Sequence, residues 1–218
     1  ELISGAEEAR LIYLGVLSGM SLENKSHIIV DIGGGSTELI LANSEDTRAL
    51  TSSRVGAVRL KNNFFEDDPL TNSRIEFLKT FIKGSLEPSI GKIKRRLTKH
   101  ESISMIATSG TAIALGNLIS SDLGEPKQKM HGYKFNKTNL ETILGKLIKM
   151  SPTERRKITS LSERRSEIIV PGGLILETTM NMLDIDNLTI SERALREGLV
   201  VDWMIRKGML KSKFSIQS

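Results

Sequence analysis

Three consecutive glycines stand between two apolar runs in IIVDIGGGSTELILA (Ile28 to Ala42), with Asp31 before them and Ser36, Thr37 and Glu38 after. A strand–turn–strand with no side chains at its tip presents several backbone N–H groups to one point. That is a concave seat for an anion, and glycines at Gly33, Gly34 and Gly35 reach φ > 0 cheaply and let a phosphate approach the backbone. Asp31 can hold a hydrated Mg²⁺ or orient a water, and Ser36 and Thr37 add hydroxyl donors. A tight hairpin needs two glycines at most, so the third glycine and the acidic and hydroxyl flanks call for chemistry.

A second turn, Ala107-Thr108-Ser109-Gly110-Thr111, leads from a strand into a helix whose first N–H groups point at a ligand, again an anion site. Two such turns, both at strand ends, suggest a converging pair. The commoner glycine motifs do not fit. A P-loop ends in Gly-Lys-Ser/Thr where this chain has Gly35-Ser36-Thr37. A dinucleotide fingerprint needs a glycine where Glu38 stands, and a helix where a strand is expected.

The elements that must position these turns read as follows. A helix is expected from Ser4 to about Gly19, with Glu7 and Glu8 in its first turn, then strands at Ser26–Ile32 and Ser36–Ala42. A third strand falls within Asp46–Leu60, with Gly56 as a bend or bulge, completing an antiparallel meander. Asn72–His100 is helical, divided by Gly84 and Pro88. A buried strand at Ser102–Ala107 precedes a helix from about Thr111 to Ile119, and Ser121–Lys134 is a loop. Helices follow at Asn139–Met150 and Pro152–Leu161. Pro171-Gly172-Gly173 then opens a helix to Met182, since proline suits a first turn. Asn187–Ile190 is a short strand and Ala194–Lys207 a closing amphipathic helix. The pattern is mixed α/β.

The bulk numbers bound the partners. The 218 residues hold no cysteine, which excludes disulfides and thiolate chemistry, and no apolar run approaches the ~20 residues that cross a bilayer. The expectation is a cytoplasmic protein with no membrane partner. The net charge is +5, with basic clusters at Lys92–Lys99, Arg155–Lys157 and Arg164–Arg165, while aromatic residues make up 4%. Stacking on bases needs exposed aromatics, so the charge favours a phosphate-rich ligand and no nucleic acid is expected. His27, His100 and His131 share no metal-ligand spacing, and no serine has a histidine–acid arrangement of the hydrolase type.

DIGGGSTEL, together with ISGAEEARLIYLGV before it, resembles the exopolyphosphatase and guanosine pentaphosphate phosphatase family, which has the sugar kinase, actin and heat-shock ATPase fold. The likeness continues through SRVGAVRL, ATSGTA, SERRSEIIVPGGLIL and ISERALREGL, nearly the whole chain. It implies a ribonuclease H-like lobe of the actin-like superfold, residues 1–218, opening on an antiparallel meander and carrying a helical insertion around residues 139–161. The family has two such lobes with phosphate held between them. With only one glycine hairpin, the chain reads as the second lobe alone, and an exposed half-cleft favours a homodimer.

Carried across, the resemblance makes Glu8 the general base that activates a water for attack on a terminal phosphorus. Glu7 is the adjacent alternative, with a side chain about 100° away around the helix. Asp31 and Glu38 are assigned to Mg²⁺ or to the water. Gly33, Gly34, Gly35, Ser36 and Thr37 cradle phosphate oxygens, joined by Ser109, Gly110 and Thr111 of the second turn. Arg54 and Arg165 match positions that neutralise phosphate charge, though each could equally pair with a structural carboxylate. The function implied is release of terminal phosphate from inorganic polyphosphate. Guanosine pentaphosphate is the alternative substrate, and a non-catalytic polyphosphate- or nucleotide-binding, or self-associating, lobe is the alternative of another class. A kinase lobe of the same fold is disfavoured by ISGAEEAR.

Overall fold

The computed structural model describes residues 3–22, 25–65, 69–99 and 101–210. It is built on one six-stranded sheet in the order β3-β2-β1-β4-β6-β5. Strands β1 (Ser26–Ile32), β2 (Thr37–Ala42) and β3 (Thr47–Ser53) form the expected antiparallel meander. Strand β4 (Ile103–Thr108) lies parallel to β1, and β6 (Asn187–Ile190) lies parallel to β4. The three-residue β5 (Lys134–Asn136) closes the far edge, antiparallel to β6.

Both faces of the sheet are covered, and the alternation of side chains along β1 shows how. Ile28, Val30 and Ile32 enter a large core with α2 (Ala57–Phe64), α3 (Asn72–Lys94), α4 (Ser109–Asp122), α5 (Lys137–Lys149) and α7 (Glu163–Leu183). Ile29 joins Ile40 and Ile106 on the other face, beneath α1 (Gly5–Leu17) and α8 (Leu195–Arg206). Helices α1 and α8 touch backbone to backbone. A Cβ at Gly15 would lie 1.8 Å from the Ala194 carbonyl oxygen, and one at Gly198 the same distance from that of Leu11. This contact fixes α1, and with it Glu8, against the sheet.

Several expectations are corrected. The third strand ends at Ser53, and Gly56 is the N-cap of α2 rather than a bend in a strand. Helix α3 runs unbroken through Gly84 and Pro88 and stops at Lys94; His100 lies outside the described residues. Helix α4 starts at Ser109 and continues to Asp122, into the stretch expected to be a loop, whose end forms β5. The two helices expected at Asn139–Met150 and Pro152–Leu161 are α5, which starts at Lys137, and a five-residue α6 (Pro152–Arg156). Arg155, part of a basic cluster in the sequence, is buried and donates to the Leu147 and Met150 carbonyls, tying the end of α5 to α6.

The largest correction is α7, which begins at Glu163, eight residues before Pro171. The Pro-Gly-Gly run is internal and buried. Gly172 and Gly173 admit neighbours, because a Cβ would come within 2.6 Å of Thr111 at the first and 2.3 Å of Leu144 at the second. Among the described residues no helix is long and apolar enough to cross a membrane.

Candidate active site

The glycine hairpin is held from behind. Gly33 N–H donates to the Ser36 carbonyl at 3.0 Å, closing the turn. The carbonyls of Gly33 and Gly34 then accept from the first N–H groups of α2: Ala57 to Gly33 at 3.0 Å, and Val58 and Arg59 to Gly34 at 3.0 and 2.9 Å. A helix N-terminus must find acceptors for its leading N–H groups, and here the hairpin supplies them. The fit leaves no room at Gly56, where a Cβ would stand 2.6 Å from the Gly34 carbonyl carbon. None of Gly33, Gly34 and Gly35 has positive φ. The expected left-handed backbone is therefore absent, and the glycines serve close approach instead. A side chain at Gly34 would press on Val58 at 3.2 Å. The exposed tip is further pinned by Arg59, whose Nε donates to the Gly35 carbonyl at 3.1 Å.

The second turn is strained. Ser109, the first residue of α4, has φ +76°, one of two non-glycine residues with positive φ among those described. Strain of this kind persists where surroundings over-determine the backbone, commonly at functional sites. Its hydroxyl accepts from Thr111 N–H at 3.2 Å. Next to it, Gly110 has no space for any side chain: a Cβ would lie 1.4 Å from an Nη of Arg165. The Arg165 guanidinium therefore lies on the Gly110 backbone.

The two turns converge. Gly33 and Gly34 from the hairpin, Ser109, Gly110 and Thr111 from the second turn, and Arg165 line one cavity of about 360 Å³. The rest of its wall is Ile32 of β1, Val58 of α2 and the start of α7, with Ser162, Arg164 and Ile168, and Ser162 makes no side-chain cap bond. Burial, then the charge of Arg164, push the Arg165 pKa down. Among the described residues no carboxylate pairs with Arg165 or Arg164. Two helix N-termini, two guanidinium groups and a glycine backbone surround a space that no carboxylate lines among the described residues, a donor set of the kind that can hold an anion.

The carboxylates stand at the same end of the sheet, on the α1 face. Glu7 and Glu8 are separated by their partners. Glu7 holds Arg10 through two bonds of 2.8 and 2.7 Å, and Arg10 also binds Asp202 of α8. Glu8 has no such tie, and its charge acts on both Asp31 and Glu38. Asp31 is the direct cross-strand partner of Glu38 on one side and of Thr108 on the other. Burial, opposed by a Thr108 hydrogen bond and aided by Glu8, pushes the Asp31 carboxyl up to about 6. Burial raises Glu38 to about 7, against hydrogen bonds from Ser36 and Ser52, the latter at 2.8 Å.

Other expected site residues fall elsewhere. Gly35 sits at the tip outside the cavity lining, and Ser36 turns toward Glu38. Thr37 is fully buried and donates to the Val55 carbonyl at 2.6 Å, so its hydroxyl is spent on the fold. Arg54 is exposed after β3 and does not line the cavity. His27 and His131 have both ring nitrogens engaged by neighbouring groups. The sequence marks Arg164 only as part of a basic cluster and assigns no site role to Ser162 or Arg59. A helix opening at Pro171 leaves Ser162 and Arg164 outside it, although Ser162-Glu163 is a capping signal.

Among the described residues no three His, Asp or Glu side chains close on a common metal position. Asp31 and Glu38 nonetheless fit a hard cation, because two oxygen-donor groups are pushed toward protonation with no basic side chain beside them.

A model of the Ppx/GppA phosphatase family matches residues 1–207. The chain is 27% identical over 205 residues to Exopolyphosphatase 2 of Mycobacterium tuberculosis, covering 92% of this chain and 63% of that protein. It is 33% identical over 208 residues to the guanosine-5'-triphosphate,3'-diphosphate pyrophosphatase of Vibrio vulnificus, covering 94% of this chain and 39% of that one. The crystal structure of the Aquifex aeolicus Ppx/GppA family member superposes with a TM-score of 0.81 at 26% identity, covering 95% of this chain and 65% of that one. An exopolyphosphatase from Cytophaga hutchinsonii gives 0.84 at 25% identity, with the same coverage of 95% and 65%. The chain thus spans less than two thirds of each of these four relatives.

Proposed function

Because this chain belongs to the Ppx/GppA phosphatase family and has the α/β fold of an actin-like lobe, we propose that it carries the phosphate-holding wall of a phosphoanhydride hydrolase. The observation that carries the reading is the Arg165 guanidinium, laid on Gly110 with no carboxylate partner among the described residues and lining one cavity with the glycine hairpin. The substrate proposed is inorganic polyphosphate, with the terminal phosphate seated between the two turns. In hydrolysis, Glu8 accepts a proton from water as the water oxygen bonds to the terminal phosphorus. The P–O bond to the next phosphate breaks, and the shortened chain leaves with that oxygen.

The family's metal is proposed to be Mg²⁺, held by Asp31 with Glu38 behind it, where it supplies charge neutralisation for the phosphate. Glu38 is almost fully buried, so its part is to set the charge on Asp31 and on the water beside it. The 218 residues are proposed to form one lobe that faces a second wall, with phosphate between them. Turnover by the lobe alone should be slow, because holding the phosphoryl group, metal and water together carries much of the rate.

Guanosine pentaphosphate is a second reading, favoured by the names of the Vibrio and Aeromonas relatives. A lobe that binds polyphosphate without turnover is a third. Cytoplasmic residence and a homodimer complete the proposal. Phosphate release from long-chain polyphosphate, guanosine pentaphosphate and ATP, with a Glu8→Gln control, tests it. Release that is fastest from polyphosphate and lost in the control supports the first reading. Release from ATP alone would overturn all three.

A further inference from the structure

Three hydroxyl residues in a row end β3, and they are spent differently. Thr51 donates to the Leu39 carbonyl at 2.7 Å, and Ser53 shares a 2.7 Å bond with Ser89 of α3; both are buried and serve the fold. Ser52 points to the opposite face of the sheet, the one beneath α1. It stands across from Glu38 in the pairing of β2 with β3 and donates to that carboxyl group at 2.8 Å. Glu38 is almost fully buried, and a buried carboxyl group needs hydrogen-bond partners. Ser36 supplies one from the hairpin and Ser52 the other from β3. The same serine also meets the first residue of α1. A Cβ at Gly5 would lie 2.5 Å from the Cβ of Ser52 and 2.8 Å from its Oγ, so the helix starts with bare backbone against that side chain. Glu8 follows three residues later, one turn along the same face of the helix.

We propose that Ser52 is a positioning residue of the candidate active site. Its hydroxyl holds the Glu38 carboxyl group beside Asp31, and its β-carbon sets how far Glu8 stands from that pair. The proposal rests on the reading of Glu8 as the base and of Asp31 and Glu38 as the acids of a metal site. Groups that orient a metal-binding acid without touching the metal commonly carry about 10–100-fold of its affinity or activity. Of the three hydroxyls that end β3, only that of Ser52 is bonded to an acid of the site. It is also the one under the helix that carries Glu8.

Two substitutions separate the hydroxyl from the seat. Ser52→Ala removes the donor and keeps the β-carbon. Mn²⁺ alone, counted by paramagnetic resonance on the 218-residue chain, should bind Ser52→Ala about tenfold more weakly, with the melting midpoint in chelator little changed. Gly5→Ala keeps the donor and pushes the start of α1 off its seat. Mn²⁺ affinity should then hold within about twofold, while single-turnover phosphate release from polyphosphate falls at least about tenfold. Ser52→Gly clears the space again, so Gly5→Ala/Ser52→Gly should release phosphate as fast as Ser52→Gly alone. Undiminished Mn²⁺ affinity in Ser52→Ala would overturn the part given to the hydroxyl. A Gly5→Ala defect that Ser52→Gly leaves unrelieved would overturn the part given to the seat. An unaltered chain that binds no Mn²⁺ would instead remove the metal reading, and one that releases no phosphate the hydrolase reading, each taking its half of the proposal with it.

Discussion

Asp31 and Glu38 face each other directly across β1 and β2, seven residues apart in sequence and on the same face of the sheet. Like charges placed opposite one another are destabilising, and burial adds to the cost. Both groups hold their protons more firmly than ordinary carboxyls, with pKa values of about 6 and about 7. The hairpin proposed to seat phosphate therefore carries at its base a pair of acids that resist joint ionisation.

A pH dependence follows, with a definite sign. Where folded pKa values are raised, the native state binds more protons than the unfolded one, and stability falls as pH rises through the window between them. For Glu38 that window runs from its ordinary value of 4.5 to about 7. Thermal melts in a metal chelator should show the midpoint dropping between these values. Glu38→Gln should flatten the drop and stabilise the fold at pH 8 on the order of 1–3 kcal/mol. A midpoint that rises across the same window would show that the two acids are not held protonated.

Much of this was legible in sequence. The β-branched runs at Ser26–Ile32 and Asn187–Ile190 became strands with the expected bounds, because nothing within them competes with extended backbone. Both turns that line the cavity were visible as glycines at strand ends. Three residues of β5 carry too short a pattern to be read. Pro171 misled because proline and glycine ordinarily punctuate. Here Gly172 and Gly173 lie inside α7 because Thr111 and Leu144 press against it, a tertiary demand with no local signal. The true start of α7, eight residues earlier, is what brings Arg164 and Arg165 to the cavity. Thr37 shows the converse: a hydroxyl beside the glycines looked like a ligand, and strand register turned it into the core.

The contact of Arg165 with Gly110 predicts the effect of a single methyl group. Gly110→Ala places a carbon 1.4 Å from an Nη of Arg165, so the guanidinium must leave its seat. Phosphate affinity should fall at least tenfold, as in Arg165→Ala, and the double substitution should be no worse than either alone. The far end of a side chain is what must move, so the melting midpoint should change little. Calorimetry showing full affinity in Gly110→Ala would remove Arg165 from the site.

Self-association has a defined surface to use. Helix α8 buries Gly198 against α1 and leaves Leu199, Val200 and Trp203 about half exposed on its other side. Exposed apolar patches on soluble domains mark contacts, and a second copy would bury these residues. Trp203→Glu should shift the chain from dimer to monomer in sedimentation without lowering its melting midpoint. A monomer before the substitution would sink the proposal.

The two neighbouring acids of α1 give the sharpest test of the chemistry. They share a helical turn, so composition cannot separate them, but their partners do. Glu7 is committed to Arg10, and through it to Asp202 of α8, an arrangement that fastens α1 to α8. That hydrogen bond to Arg10 holds its carboxyl below the usual range, which makes it a poor acceptor for a proton. Glu8 has no basic partner among the described residues and stands close enough to Asp31 and Glu38 to act on both. Replacing Glu8 by Gln keeps size and hydrogen bonding while removing the proton acceptor. In a protein with measurable turnover, kcat should fall by about 10²–10⁴ with phosphate affinity unchanged. Glu7→Gln should instead loosen the α1–α8 contact, lowering the melting midpoint and leaving kcat within about threefold. If Glu7→Gln abolishes turnover and Glu8→Gln spares it, the base has been assigned to the wrong acid.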